Sequence, residues 1–236
     1  MATIVKNKQL SVDWLPVEIL HRILDHLDGQ TILLSIRYVS KQFQTVTNNY
    51  NKYKLNFSSI LKTQFRLICR IIQPEDVISL TLSNGEKTPN QIDLFPSVFD
   101  INRWTRLRSL TLLDIDNNSL KIFLLHTLAF CTLISLSIKC REIADMETLA
   151  HLSSFISQPN LHRLDLSDNY ILDINKIQWL SNCTLHYFQI NDCSFEQFCT
   201  ILDNSPVLRT FVLQNGISNN LGGIQILFSI NFIVIE

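Results

Sequence analysis

The sequence predicts an α/β protein in which a small all-α domain precedes an α/β solenoid. Three observations predict this fold class. Apolar residues follow a helical spacing over residues 13–27, a leucine-containing strand motif recurs six times after residue 76, and basic residues are concentrated near the N-terminus. Repetition at a fixed period is typical of proteins that stack one supersecondary unit.

The composition is that of a folded protein whose charge is unevenly distributed. Of 236 residues, 46% are hydrophobic and 17% are charged, with a net charge of −1. Residues 1–70 carry ten Lys/Arg and four Asp/Glu (net +6), and the rest carries the other ten of 20 basic and 17 of 21 acidic residues (net −7). No acidic residue lies between Asp28 and Glu75. This split indicates two modules with different surroundings.

The segment DWLPVEILHRILDHL, residues 13–27, predicts the first helix. Pro16 at the first helical position and Glu18 nearby both favour a helix N-terminus. The apolar arc comprises one stripe and two flanking residues: Val17, Leu20, Leu24 and Leu27, flanked by Ile19 and Ile23. This arc is wider than a single packing partner requires. Gly29 is expected to end the helix.

The strand motif defines the rest of the chain. LHRLDLSDNYI from Leu161 and LHYFQINDCSF from Leu185 both fit L-x-x-L-x-L-x-x-N/C-x-L, with Asn169 and Cys193 at the ninth position. Weaker copies begin at Val77, Leu107, Leu133 and Leu208, and successive starts lie 30, 26, 28, 24 and 23 residues apart. These intervals are those of leucine-rich repeats, so residues 76–236 are predicted to form about six repeats stacked as a horseshoe.

Helices are predicted between the strands at residues 119–130, 146–156, 174–182 and 195–204, and the second copy carries an insertion around residues 114–118. After residues 222–223 the chain runs IQILFSINFIVIE without a polar capping segment. Terminal repeats normally need such a cap, so we expect either a truncated array or a last strand that a partner covers.

Residues 122–138 form an uncharged run of seventeen residues. The repeat pattern assigns this run to a helix followed by a strand, and a membrane span is not expected. The six cysteines lack CxxC spacing, and the first residues lack an uninterrupted apolar stretch. We therefore expect free, reduced cysteines in an intracellular protein of the cytoplasm, the nucleus or both.

LPVEIL at residues 15–20, followed by VSKQF at residues 39–43, resembles the F-box, with its LPxEIL start, second short helix and VSKxF signature. The resemblance covers residues 13–55, between a flexible N-terminus (1–12) and a helical linker (56–75). With the repeats, it implies a non-catalytic substrate-recognition subunit of an SCF-type (Skp adaptor–cullin–F-box) E3 ubiquitin ligase, acting in ubiquitin-dependent protein degradation.

The resemblance also implies a binding surface for the Skp adaptor, and through it for cullin. The matching positions are Leu15, Pro16, Glu18, Ile19, Leu20, Ile23 and Val39. The adaptor family is acidic, which fits the acid-free stretch 29–74, because opposite charges speed encounter. The alternatives are that the helix is ordinary core and that the basic stretch is solvated surface. Its few aromatic residues form no nucleic-acid-binding motif.

A protein substrate would contact the x positions of LxxLxL, which form the inner surface of a repeat horseshoe. The first three strands offer small hydroxyl side chains there, whereas the fourth and fifth offer larger polar groups. We expect recognition at Arg163, Asp165, Tyr187 and Gln189, because Arg and Tyr are enriched at binding hot spots. The alternative is that Arg163 and Asp165 only pair with each other.

Catalytic motifs are absent from the sequence. It contains no GxGxxG, GxxxxGK[ST], HExxH or GxSxG, so no catalytic residue, metal site or cofactor is predicted. Cys193 is explained as the ninth motif position. Two functions stay open: the ligase receptor, and a leucine-rich-repeat interaction scaffold whose F-box recruits nothing.

Overall fold

The computed structural model describes residues 15–127, 132–142, 144–167, 176–179, 183–221, 224–228 and 233–234. Three short helices come first: α1 (Val17–Leu24), α2 (Gly29–Leu34) and α3 (Lys41–Asn48), with a 3-10 turn at Ile36–Tyr38. Helices and strands then follow as β1 (Tyr53–Asn56), α4 (Lys62–Ile71), β2 (Val77–Ser83), α5 (Gln91–Val98), β3 (Ser109–Ile115), α6 (Asn117–Thr127), β4 (Ser135–Cys140), α7 (Met146–Ile156), β5 (Arg163–Asp165), β6 (Tyr187–Ser194), α8 (Phe195–Asn204), β7 (Thr210–Leu221), β8 (Ile224–Phe228) and β9 (Ile233–Val234).

The strands form one sheet in which β1 to β7 are parallel and lie in chain order. Each strand therefore pairs with its neighbours in sequence, as expected when α/β units stack side by side. This mixed fold with seven parallel strands is consistent with a solenoid. All six predicted motif copies contain a strand, β2 to β7.

Strand register stacks the apolar motif positions into a core. One position across β2 to β7 is occupied by Leu80, Leu110, Leu136, Leu164, Phe188 and Phe211, and all six side chains are buried. The helical layer supplies further buried residues, including Phe95, Phe123 and Phe155. No single unit could bury these side chains alone, so adjacent units supply the core for one another.

Polar side chains fix the helix starts. The Asp28 carboxylate accepts a hydrogen bond from the Thr31 backbone N–H (2.8 Å) at α2, and Asp145 accepts one from Thr148 N–H (2.8 Å) at α7. Ser194 and Gln197 form a reciprocal capping box at α8. These contacts satisfy N–H groups that the first helical turn leaves unpaired.

The structure corrects two expectations about the N-terminal third. Gly29 does not end the first helix, because α1 ends at Leu24 and Gly29 begins α2 behind the Asp28 cap. Strand β1 was not predicted, although it precedes the first motif copy and pairs in parallel with β2. Helix α4 falls within the predicted helical linker, and α5 is an additional helix after β2.

The small helical part packs directly on the sheet through α2. A Cβ atom at Gly29 would lie 2.7 Å from the Lys54 carbonyl oxygen and 2.7 Å from Leu55 Cδ2. The Gln30 side-chain amide also donates a hydrogen bond to the Asn56 carbonyl oxygen. Only glycine lets α2 approach β1 this closely.

The uncharged run is divided between two elements, since α6 ends at Thr127 and β4 begins at Ser135. Among the residues described, no helix is long and apolar enough to cross a membrane. Asn169 and most of the predicted helix 174–182 lie outside the described residues. At the end of the sheet, β8 and β9 pair antiparallel with β7.

Candidate functional surfaces

Helix α1 carries apolar side chains on two faces. Leu20 and Leu24 are completely buried on the inner face. Ile19 and Ile23, one helical turn apart, are each 40% exposed, and we call these two residues the outer α1 face; Val17, also exposed, lies on the stripe of Leu20 and Leu24. The outer α1 face therefore leaves apolar surface in contact with water, as Leu94 does on α5 and Leu125 on α6.

The predicted adaptor residues fall into two groups. Pro16, Glu18, Ile19, Ile23 and Val39 are exposed, and Val39 reaches 65% exposure in the turn before α3. Leu15 is half-buried, and its carbonyl oxygen accepts a hydrogen bond from Gln42 Nε2 (3.2 Å), which holds the start of α1 against α3.

Leu20 occupies a different position from the one that the resemblance implied. Its side chain is completely buried because it lies on the inner face of α1. It therefore cannot touch a partner on the surface of this fold. Leu20 instead holds α1, which carries Ile19 and Ile23, against the rest of the fold.

A polar network anchors the C-terminal end of α1. The Tyr50 hydroxyl donates to Asp25 Oδ1 (2.8 Å), and Lys52 Nζ lies 3.4 Å from Asp25 Oδ2. The hydrogen bond from Tyr50 lowers the pKa of the Asp25 carboxyl, and Lys52 adds to the effect. Burial raises the pKa of the Tyr50 hydroxyl, which therefore keeps its proton as the donor. Motif reasoning did not identify this network.

The acid-free stretch presents positive charge to solvent. Six of its basic side chains are exposed: Lys41, Lys52, Lys54, Lys62, Arg66 and Arg70. Lys52 has Asp25 as an ion-pair partner. The helical part thus combines the outer α1 face with a basic surface.

The second and third x positions of each LxxLxL copy lie together on one side of the sheet, which we call the polar sheet face. Its first column contains Ser79, Ser109, Ser135, Arg163, Tyr187 and Thr210, and its second contains Thr81, Thr111, Ser137, Asp165, Gln189 and Val212. The register places Arg163 beside Tyr187 and Asp165 beside Gln189. The four predicted substrate residues are therefore neighbours.

The side chains of these four described residues do not form the Arg163–Asp165 pair that was the alternative to substrate recognition. The Arg163 guanidinium carbon lies 3.7 Å from the centre of the Tyr187 ring, and the Tyr187 hydroxyl donates to Gln189 Oε1. Asp165 Oδ1 accepts from Ser167 N (3.0 Å) and Ser167 Oγ (2.5 Å). Within the described ranges, Arg163 and Asp165 form no ion pair with each other. Arg163 and Tyr187 instead form an ordered cation–π pair.

Threonine and histidine side chains connect neighbouring units at the strand starts. Thr132 Oγ1 and Thr184 Oγ1 donate to the carbonyl oxygens of Leu107 and Leu161, each at 3.0 Å. The rings of His162 and His186 stack with centroids 4.7 Å apart. Sequence reasoning missed both features, although threonine precedes the first Leu in the third and fifth copies and histidine follows it in the fourth and fifth.

Cys193 has the environment of a structural cysteine. Cys193 is buried, and burial raises the pKa of its thiol to about 12. A thiol with this pKa is protonated at neutral pH and is a poor nucleophile. Considering only the part of the chain that is described, no cluster of three or more His, Cys, Asp or Glu side chains is arranged to hold a metal ion.

The fold consists of a small helical part joined to stacked α/β units. A comparison with protein-family models matches residues 12–55 to the F-box domain. This match supports an F-box protein and confirms the F-box that LPVEIL and VSKQF predicted. The matched segment contains α1, α2 and α3 and ends within β1. A search of curated proteins finds no match to the chain.

Proposed function

We propose that the chain is the substrate-recognition subunit of an SCF-type E3 ubiquitin ligase. It binds a Skp-type adaptor, and through it cullin, by its F-box, and it binds a protein substrate by leucine-rich repeats. The observation that carries the proposal is the outer α1 face, which leaves two isoleucines exposed inside a matched F-box domain.

The energetics support a partner on this face. Fully burying an aliphatic side chain contributes about 1.5–3 kcal/mol. Ile19 and Ile23 are only partly buried in the fold, so a partner that covers them gains the part of this free energy that folding leaves unused. The three-helix segment is too small to bury these side chains itself, since Leu20 and Leu24 already fill the inner face.

Charge supports an acidic partner. Exposed basic residues lie on α3, β1 and α4, within and beside the matched segment. Opposite charge on an adaptor accelerates association more than it strengthens the complex. Salt is therefore expected to slow association with the adaptor.

The receptor itself performs no chemistry and acts by proximity. Arg163 and Tyr187 form the proposed centre of substrate binding, because a large aromatic residue and an arginine held in one geometry lose little freedom on binding. Asp165 and Gln189 add hydrogen-bonding groups in the second column. The proposal implies an intracellular protein, in the cytoplasm, the nucleus or both.

Adaptor binding is tested by titrating the full chain with a Skp-type adaptor in a calorimeter. The double variant Ile19→Ala/Ile23→Ala is expected to bind at least about tenfold more weakly. The matched control, Leu94→Ala/Leu125→Ala, removes two exposed leucines from α5 and α6 and should bind normally. No binding by the wild-type chain would favour the alternative, a non-catalytic repeat scaffold without a ligase role.

Substrate binding is tested by capturing cellular proteins on the chain–adaptor complex. Arg163→Ala/Tyr187→Ala is expected to lose specific substrates while adaptor affinity stays unchanged. Ser109→Ala/Ser135→Ala alters the same column of the polar sheet face and serves as the control. Joint loss of substrate and adaptor would contradict the proposed division between the two surfaces.

A further inference from the structure

A basic groove lies along the edge of the sheet where the parallel strands begin. Its volume is about 610 Å³, and its polar lining includes Lys52, Thr105, Arg106, Arg108, Thr132 and His162. This edge borders the polar sheet face, because Arg108 and His162 are the first x positions of the second and fourth motif copies. None of the four predicted substrate residues and no α1 residue is among the described residues that line the groove.

Strand register builds the floor of the groove. Arg108 N–H donates to the Ile78 carbonyl oxygen (3.0 Å), Ile134 N–H to Arg108 (2.9 Å), and His162 N–H to Ile134 (2.9 Å). These backbone hydrogen bonds stack the residues that follow the first motif position in successive units. Side chains far apart in sequence, such as Arg108 and His162, therefore line one groove.

The groove has an excess of positive charge. None of its described lining residues carries a carboxylate. Lys52 is partly neutralised by Asp25, whose Oδ2 lies 3.4 Å from Lys52 Nζ. Burial raises the pKa of the Asp76 carboxyl, and the charge of the nearby Arg106 lowers it, so Arg106 is also partly neutralised. In the described parts of the chain, the Arg108 guanidinium has neither an ion-pair nor a hydrogen-bond partner. Its charge is therefore available to a ligand.

The donor groups match an oxyanion with several oxygens. Each guanidinium offers five N–H donors in a planar fork, which pairs with phosphate or carboxylate oxygens in a bidentate manner. His162 Nδ1 lies 3.1 Å from the Thr184 carbonyl oxygen, and because a carbonyl only accepts, Nδ1 carries the proton. Two arginines and a lysine exceed what one carboxylate can satisfy, whereas a phosphate group carries three oxygens and a charge near −2.

We propose that this groove binds a phosphate group, with Arg106 and Arg108 as its principal ligands. The phosphate belongs either to a phosphorylated side chain of a protein or to a free phosphate compound. A volume of 610 Å³ lies within the range of small-ligand sites and leaves room for the group that carries the phosphate. The proposal does not depend on adaptor or substrate binding.

Calorimetric titration of the full chain tests the groove with two probes, pyrophosphate and a phosphoserine peptide, and the unphosphorylated peptide as a blank. An ionic strength of about 0.05 M limits screening of exposed charges. We expect saturable binding of at least one probe, weakened by about a hundredfold in Arg106→Gln/Arg108→Gln, because two bidentate guanidinium contacts are lost. Arg70→Gln, an exposed arginine on α4, should bind as the wild type does.

The outcomes separate the two sources of phosphate. Binding of the phosphopeptide alone assigns the groove to a modified protein, and binding of pyrophosphate alone assigns it to a free phosphate compound. The single variant Arg108→Gln and thermal unfolding of each variant exclude misfolding as the cause of a loss. Failure of both probes to bind the folded wild-type chain, or equal loss in Arg70→Gln, would overturn the proposal. Adaptor affinity should be unchanged in Arg108→Gln.

Discussion

Helix α1 and the strands β2 to β7 accommodate apolar residues in different ways. In the strands, apolar motif positions such as Leu136 are buried by the adjacent units, and the x positions leave a polar face. In α1, Leu20 is buried but Ile19 and Ile23 remain partly exposed. The apolar residues of the strands are thus covered by adjacent units, whereas α1 leaves apolar surface in contact with water. The difference separates residues that maintain the fold from residues that are available for binding.

The largest expected effect is on the sheet core. Phe188 is completely buried between the neighbouring strands, and its ring stacks on Phe211 with centroids 5.5 Å apart. Phe188→Ala should lower the free energy of unfolding by about 3–5 kcal/mol because it leaves a cavity. Chemical denaturation measures this change, and the exposed Phe195→Ala is the matched control. Equal effects of the two variants would contradict the assigned core.

The two faces of α1 can be separated with one substitution each. Leu20→Ala should lower the free energy of unfolding by about 2–5 kcal/mol, because Leu20 is completely buried. Ile23→Ala should change it by about 1 kcal/mol or less, because its side chain is partly exposed. Denaturation of both variants without adaptor measures the difference. A larger destabilisation from Ile23→Ala would mean that the faces are assigned the wrong way round.

The contact between the F-box and the sheet is tested at Gly29. A new Cβ would lie 2.7 Å from both the Lys54 carbonyl oxygen and Leu55 Cδ2, so Gly29→Ala should force α2 away from β1. Overpacking of this kind costs about 1–3 kcal/mol, which a thermal melt would detect. The control is Gln30→Ala, the next residue of α2, which removes only the hydrogen bond to Asn56. An unchanged or raised Tm for Gly29→Ala would contradict the close contact.

The smallest effect concerns pH and the α6–α7 contact. The Thr148 N–H, followed by the Asn117 amide, lowers the pKa of the Asp145 carboxyl to about 2, below its ordinary value of 3.8. A depressed carboxyl pKa stabilises the fold above the ordinary value and loses this contribution as the pH falls through 3.8 towards 2. Asp145→Asn should therefore flatten the dependence of Tm on pH between 5 and 2. The exposed Asp203→Asn should leave the wild-type profile intact.

Features that recur or follow a short motif could be predicted from the sequence. Six motif copies located β2 to β7 because leucines at LxxLxL face one core, and LPVEIL with VSKQF located the F-box. Strand β1 escaped prediction because YKLN is too short to show a pattern of its own, and it is a strand only because β2 pairs with it. Leu20 was placed at the surface because a motif gives residue identities but not which face of a helix is buried.

The contacts of the substrate residues and the lining of the groove could not be predicted from the sequence. Alternation along each strand places Arg163 of β5 and Tyr187 of β6 on the polar side, but only the register between β5 and β6 brings the guanidinium onto the ring. The groove is lined by both Lys52, which belongs to the F-box match, and Arg108, which belongs to the second motif copy. Such juxtapositions arise from packing between units, which no local pattern contains.

The central claim is that the adaptor binds at α1 and not at the polar sheet face. The most direct test of this claim is hydrogen–deuterium exchange of the full chain with and without a Skp-type adaptor. The account predicts that the adaptor slows exchange in residues 15–39, which include α1 and the turn at Val39, and leaves β4 to β6 unchanged. Protection that is absent from residues 15–39 but present in the strands of the polar sheet face would contradict it.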